Sequence, residues 1–478
     1  MADQEPLRFP PLSEAVASNK LWDMLKLFGP GAILASITIG SGETLFASRG
    51  GAIFGYGFLW CFVLLLLMKG IQVYTAMRYF TLTGEHPMER WANLPGPHGL
   101  FPAIIGLLTI ICFPFFLSGL PIMLGSLVVW IFTGNPNQPL LVHLLGTCFI
   151  VLAITLTFIQ SYKHLEIAQM AIVGVLLFCM LIAMIAVRPD WLAVLIGAIV
   201  PHPPHYEPWV TAKYPELADR SPWVEIGVYM GAIGGGVQDY VGYVGMLREK
   251  MWGLIGHRRS NPVKGERVPL AEDDENVAIG KRWLRAPLID SSISFTSVMV
   301  FAAAFMILGV VILRPQQIIP GKFDLLNHQA QFLTHLHPSL LYLYQLGIFL
   351  AFFGTVYGAY ELYTRTTHAS ITALSPTWRT IPLARLRKWV LSYTGLVGIG
   401  LVWWAYSTGR DPIQLITFPA IFTGVFLAGP WCFAMIYIDR TYLPKRFQMG
   451  IGLLILNIIS GMAFTGFGLK GMWDAIAR

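Results

Sequence analysis

Ile39-Gly40-Ser41-Gly42-Glu43-Thr44 sits in the middle of the first long apolar run of the chain, Phe28–Ser48. The run is otherwise suited to crossing a bilayer, yet its centre holds two glycines, a serine and an ionisable glutamate. In hydrocarbon every backbone N–H and C=O needs an internal partner, so a helix interrupted at that depth must line a cavity or rest on protein. A carboxylate there is expensive unless it is paired or used, which makes Glu43 a candidate functional residue. A second interruption, Gly234-Gly235-Gly236-Val237-Gln238-Asp239, lies about half a chain later. Matched interruptions in two halves of a membrane chain point to a solute site near the bilayer midplane.

Composition agrees. The chain has 478 residues, 55 % hydrophobic and 12 % charged, where a soluble domain carries about 25 % charged residues. So much apolar surface calls for a bilayer as solvent. The formal net charge of +7 does not mark a nucleic-acid binder, because Lys and Arg gather in short loops between apolar runs and act as orientation signals. Cys61, Cys112, Cys148, Cys179 and Cys432 all fall inside apolar runs without paired spacing, as small core residues rather than a disulfide or zinc framework. The N-terminus does not look like a cleavable signal peptide. No P-loop pattern is present, and no cofactor is expected.

Spanning runs are expected near Phe28–Ser48, Tyr56–Phe80, Phe101–Phe132, Leu140–Ile159, His164–Val187, Trp223–Leu247, Ala286–Leu313, Leu340–Tyr363, Trp389–Tyr406, Ile413–Ile438 and Gln448–Phe467. That gives an all-α integral membrane protein of about eleven helices. With a cytoplasmic N-terminus, most of the Lys and Arg residues fall on the inner side, and the expected location is the plasma (cell inner) membrane. The expected organisation is an N-terminal cytoplasmic segment (1–27), a first five-helix repeat (28–187) and an extracellular loop (188–222). A second five-helix repeat (223–438) follows, with a cytoplasmic loop at 248–285, and then an appended eleventh helix (439–478). The acidic patch Glu272-Asp273-Asp274-Glu275 makes the 248–285 loop a solvated linker. Because five is odd, the two interrupted spans run in opposite directions, forming an inverted-topology repeat of five plus five.

The chain resembles the natural resistance-associated macrophage protein (Nramp) family of metal-ion transporters over nearly all these helices. The likeness is carried by Gly29-Pro30-Gly31 through Phe54-Gly55-Tyr56 to Leu59-Trp60, by Gln72, Ala76, Arg78 and Thr83-Gly84, and by Leu165-Glu166, Asp290, Gly354-Thr355 and Gly358. It implies a leucine-transporter-like fold and secondary transport. The family's metal-binding motifs do not carry over. Gly40-Ser41-Gly42-Glu43 stands where the family has Asp-Pro-Gly-Asn, and Gly235-Gly236-Val237 where it has Met-Pro-His. The third span has no acid and the interior of the ninth no arginine, so the resemblance does not extend to the residues of the family's usual proton route.

Two site readings follow. In one, Glu43 and Asp239, with Gln238, Ser41 and backbone carbonyls freed around Gly40, Gly42, Gly235 and Gly236, form an all-oxygen site for a hard cation such as Mg2+, or for Mn2+. In the other, the Gly-Ser-Gly break resembles that of amino-acid transporters, and its bare amides receive the carboxylate of an amino acid or other small acid. Each reading has a plainer counterpart. Ser41 and Glu43 can cap a half-helix, glycines can serve close helix contact, and Asp239 can face a vestibule. Lys69, well inside the second span, pairs with Glu43 or Asp239, replaces a coupling ion (H+ or Na+), or snorkels to the interface. Glu166, Asp290 and Glu361 lie near span ends and suit helix-end electrostatics. His202, His205, His328, His335 and His337 lack helical ligand spacing. Trp and Tyr residues near span ends are read as interfacial anchors. A channel would want a filter sequence. An enzyme would want a nucleophile with a base, and the spans offer only His143 and the acids already named.

Overall fold

A computed structural model describes residues 5–159, 162–218, 220–257 and 266–476. Among the described residues there are helices and no strands, apart from an isolated parallel bridge between Leu7 and Leu270. All eleven expected spanning stretches are helical in whole or part. By length and apolarity alone, eight helices are fit to cross a membrane among the described residues.

The first span, α1, is one rod. Pro30–Thr38 is α-helical, Ile39–Ala47 is π-helical and Ser48–Phe54 is α-helical again, with no unwound residue between. The expected break at Gly40-Ser41-Gly42 is therefore corrected. The wider π turn, found mostly as a local bulge at functional positions, absorbs the glycines without freeing a stretch of backbone. Thr44 supports it by donating its hydroxyl to the Ile39 carbonyl.

The following helices are α2 (Leu59–Thr83), α3 (Leu100–Thr133), α4 (Pro139–Ile159) and α5 (Tyr162–Ala186). The sixth span is broken as expected, into α6 (Pro222–Ala232) and α7 (Val237–Met246). Next come α8 (Asp274–Trp283), α9 (Arg285–Leu308), α10 (Leu325–Thr334), α11 (Leu340–Leu374) and α12 (Leu383–Thr408). The tenth span consists of α13 (Pro412–Ile421), a π turn at Phe422–Phe426 and α14 (Ala428–Tyr442), and α15 (Ile451–Ile476) closes the chain. In this arrangement α1 is packed against α5, α9, α11 and the broken sixth span. Most of the core residues form one continuous apolar cluster around it.

The described part of the 248–285 loop is more ordered than a solvated linker. Its acidic patch is the start of α8, where Asp273 accepts from the Asn276 N–H at 3.1 Å as an N-cap. That bond, with Arg8 nearby, holds the Asp273 carboxyl below its ordinary value of 3.8. The N-terminal segment lies on this helix. Phe9 N–H donates to Asn276 Oδ1 at 2.8 Å, and Trp283 Nε1 donates to the Pro10 carbonyl at 3.0 Å. Arg258 and Arg259 lie outside the described residues. Of the cysteines, Cys61, Cys112 and Cys432 are buried, whereas Cys148 is exposed on α4 and Cys179 partly so. Aromatics near span ends such as Tyr342, Trp389, Tyr406 and Trp473 are exposed, whereas Tyr229, Tyr240, Tyr243, Tyr360 and Tyr363 are fully buried.

Candidate functional site

The break between α6 and α7 is made by Gly234 and Gly235, at φ +78° and +81°. Side-chain-bearing residues avoid that left-handed region and glycine enters it freely. Four residues, Ile233 to Gly236, thus leave the helix, and each polar backbone group needs a partner that is not water. The chain supplies them from three directions. Glu43 Oε1, from the π-helical part of α1, accepts from Gly234 N at 2.8 Å. Asp239 Oδ2, in the first turn of α7, reaches back to Gly236 N at 2.6 Å. This is the half of a capping box that remains available when the N-cap is a glycine. The Tyr240 hydroxyl donates to Gly234 O at 2.7 Å and to Gly235 O at 3.0 Å.

The remaining carbonyls go to Lys69 of α2. Its Nζ lies 2.8 Å from Met230 O, 3.4 Å from Gly231 O, 2.5 Å from Ile233 O and 2.7 Å from Gly235 O. The residue is fully buried, so it does not snorkel to an interface. The C-terminal end of α6 carries the negative end of its helix dipole, which favours a cation there. Two acids and one base thus hold a single four-residue turn.

Gly40 and Gly42 do a different job. A Cβ on Gly40 would strike Thr355 Oγ1 and the Ala351 carbonyl of α11. One on Gly42 would strike the Ala232 carbonyl and lie 2.9 Å from Ile233 Cα. Both glycines let neighbouring backbone approach α1 closely, and neither opens onto a chamber. The side chains of Ser41 and Glu166 lie outside the described residues.

Beside the break is a cavity of about 20 Å³, bordered by Thr38 of α1, Phe116 of α3, Gln238 and Asp239 of α7, Tyr363 of α11 and Thr423. Gly235 and Gly236 form part of its wall. Gln238 donates through Nε2 to the Tyr363 hydroxyl at 2.9 Å. Gln238 Oε1 and Glu43 Oε2 are buried without a hydrogen bond, and the Tyr363 hydroxyl, which accepts from Gln238, also neighbours the buried Asp239 carboxylate. The space is about that of one water-sized guest. Larger apolar space lies elsewhere, between Gly70 and Tyr74 of α2 and Ser291 and Phe295 of α9, with no charged lining.

The structure therefore brings together Glu43, Lys69, Gly235, Gly236, Gln238 and Asp239. It withdraws Gly40 and Gly42 as ligand-facing groups. Sequence reading missed Tyr240 and Tyr363. Tyr240 had a signal, a tyrosine deep in a span beside Asp239, whereas Tyr363 ended its expected span and had none. Among the described residues no group of three His, Cys, Asp or Glu side chains is placed to hold a metal ion.

Both ends of α1 are clasped. At one end Asp290 of α9 accepts from Gly29 N at 2.9 Å and Gly31 N at 3.1 Å, and from the Tyr243 hydroxyl at 2.6 Å. At the other, Arg49 Nε meets Glu225 of α6 at 2.8 Å and its NH1 donates to Pro320 O at 2.8 Å. Arg220 and the Tyr229 hydroxyl complete that carboxylate's shell at 3.2 and 2.7 Å. Of the other helix-end acids, Glu361 pairs with Arg365 and Arg387.

The family model described as natural resistance-associated macrophage protein-like matches residues 31–474. The chain belongs to the Nramp family. It is a membrane transporter rather than an enzyme, and its family is one of metal-ion transporters. The fold is shared with a manganese transporter of Eremococcus coleocola, in a mutant form, at 14 % identity and TM-score 0.67, covering 100 % of this chain and 91 % of that one. A second structure of that manganese transporter, bound to an aromatic bis-isothiourea compound, matches at 15 % identity and TM-score 0.64, covering 100 % and 91 %. MhsT in complex with L-phenylalanine matches at 14 % identity and TM-score 0.55, covering 93 % and 98 %. No curated protein matches the chain in sequence. At these identities the structural likeness establishes the fold, the leucine-transporter-like arrangement, although only the sixth of the two spans expected to be interrupted is unwound.

Proposed function

We propose that this Nramp-family chain is a secondary transporter that moves a hard divalent cation, Mg2+ in the first place, by alternating access. The observation that carries this reading is the pair of buried side-chain oxygens, Gln238 Oε1 and Asp239 Oδ1, at a cavity of about 20 Å³. Oxygen donors without sulfur or imidazole suit a hard cation. Manganese, carried by the Eremococcus coleocola relative, is the second candidate, and the lack of a thioether here lowers its advantage over Mg2+. A cavity of this size is a closed state, so loading requires α6 and α7 to move relative to α1 and α11. Mg2+ keeps several waters and gives them up reluctantly, so the opened site would receive it partly hydrated. Transport of an amino acid through free amides at Gly40–Gly42 finds less support, because α1 is continuous there. The proposed setting is the plasma membrane, and the distribution of basic residues supports an N-terminus on the inner side.

The test is Mg2+ and Mn2+ uptake into proteoliposomes containing the purified protein. Asp239→Asn keeps an acceptor for the Gly236 N–H but removes the charge, and uptake should fall at least about tenfold, the effect of roughly 1.4 kcal/mol. Glu43→Gln likewise keeps an acceptor for Gly234 N–H, and should lower uptake with little loss of melting temperature. Wild-type liposomes that take up neither ion faster than protein-free ones would overturn the cation reading. Full activity in Asp239→Asn would remove that carboxylate from it.

A further inference from the structure

Carbonyls freed where a transporter helix unwinds, together with the end of its half-helix, commonly coordinate a carried Na+ or proton. Here those carbonyls are occupied. Met230 O, Gly231 O, Ile233 O and Gly235 O all surround one atom, Lys69 Nζ, at 2.5 to 3.4 Å. An ammonium has three protons, so the contact at 3.4 Å shares a proton with a shorter one. The site is shaped around the lysine. A Cβ on Gly234 would lie 3.2 Å from Lys69 Cδ and 2.6 Å from Leu66 Cδ2, so the glycine leaves room for the lysine stem as well as for the turn. The two carboxylates of the same turn, Glu43 and Asp239, spend one oxygen each on its backbone amides. A buried ammonium is tolerated only when paired and fully bonded. Carbonyls and a helix C-terminus supply the bonding, and Glu43 and Asp239 on the same turn supply the balancing charge.

We propose that the carbonyl cage at the end of α6 is a monovalent-cation site permanently filled by the ammonium of Lys69, so that the chain binds no free Na+ there and transport does not depend on a sodium gradient. The sodium clause rests on the transporter reading; the cage does not. The ammonium also keeps the cargo out of the cage, which directs a divalent ion to Gln238 Oε1 and Asp239 Oδ1 instead.

The test uses purified full-length protein in nanodiscs and reads melting temperature, not uptake. Sodium chloride replacing choline chloride should leave the wild type unchanged. Lys69→Gly should melt lower, and n-butylammonium, which replaces the deleted side chain, should raise its melting temperature saturably while leaving wild type unmoved. A folded Lys69→Gly that responds to butylammonium no more than wild type would overturn the proposal, as would a saturable sodium response of wild type. If Lys69→Gly does not fold, equilibrium binding of radioactive sodium to the wild type decides alone: saturable binding overturns the proposal and its absence supports it. Since no readout involves uptake, a failure to carry Mg2+ would leave this result standing, and the reverse holds too.

Discussion

The centre of α1 and the turn between α6 and α7 look alike in sequence, each with glycines flanked by an acid, and they touch each other in the fold. Yet one is a continuous rod and the other is unwound. The difference lies in what each glycine provides. At Gly40 and Gly42 it is the missing side chain, which lets the backbone of α11 and of the α6 terminus come against α1. At Gly234 and Gly235 it is backbone freedom, used at φ near +80°. Three adjacent glycines cannot sustain a helix against their entropic cost. Two glycines separated by a serine can, when the neighbours need that proximity.

Alanine substitutions separate these two roles. The largest loss of stability is expected for Gly42→Ala, whose Cβ meets backbone atoms that cannot step aside; overpacking of this kind costs about 1–3 kcal/mol. A lowered melting temperature together with impaired closure would confirm it, and an unchanged one would mean that α1 and the break do not touch. Gly235→Ala should cost about 1–2 kcal/mol, from a side chain forced into the left-handed region. Its melting curve should not improve when Thr38 is trimmed to Ser to clear the nearby methyl, since the cost is backbone strain and not crowding. Tyr240→Phe should be mildest, about 1 kcal/mol for a lost hydrogen bond, because Gly235 O keeps Lys69 and only Gly234 O loses its donor. A loss several times larger would show that the hydroxyl, not the lysine, is what holds the turn.

Much of this was legible in the sequence. Glycine triplets announce themselves, so the break in the sixth span and the approach of Gln238 and Asp239 to it could be read directly. Lys69 stood out because a charge at that depth needs a reason. Its partners did not, because main-chain carbonyls carry no residue-type signature. Gly40-Ser41-Gly42 misled for a physical reason: its role is set by Ala351, Thr355, Ala232 and Ile233, which are remote in the chain, and no local pattern encodes them. The same blindness applied to Tyr363, which joins the site only because α11 runs beside α7. The acids Glu272 to Glu275 are solvated as read, but Asp273 caps α8 and Asp274 and Glu275 begin it, and their position before Asn276 was the available clue.

The fastening of α1 at both tips has a consequence for the order of events in a cycle. Asp290 grips the rod near Gly29 and Gly31, while Glu225 grips Arg49 at the far tip. Neither latch shares a residue with the other, so one can be undone while its counterpart stays shut. Under the proposed transport cycle, a passenger in the middle would then meet an open door on one side of the membrane at a time, as carriage without leaks requires.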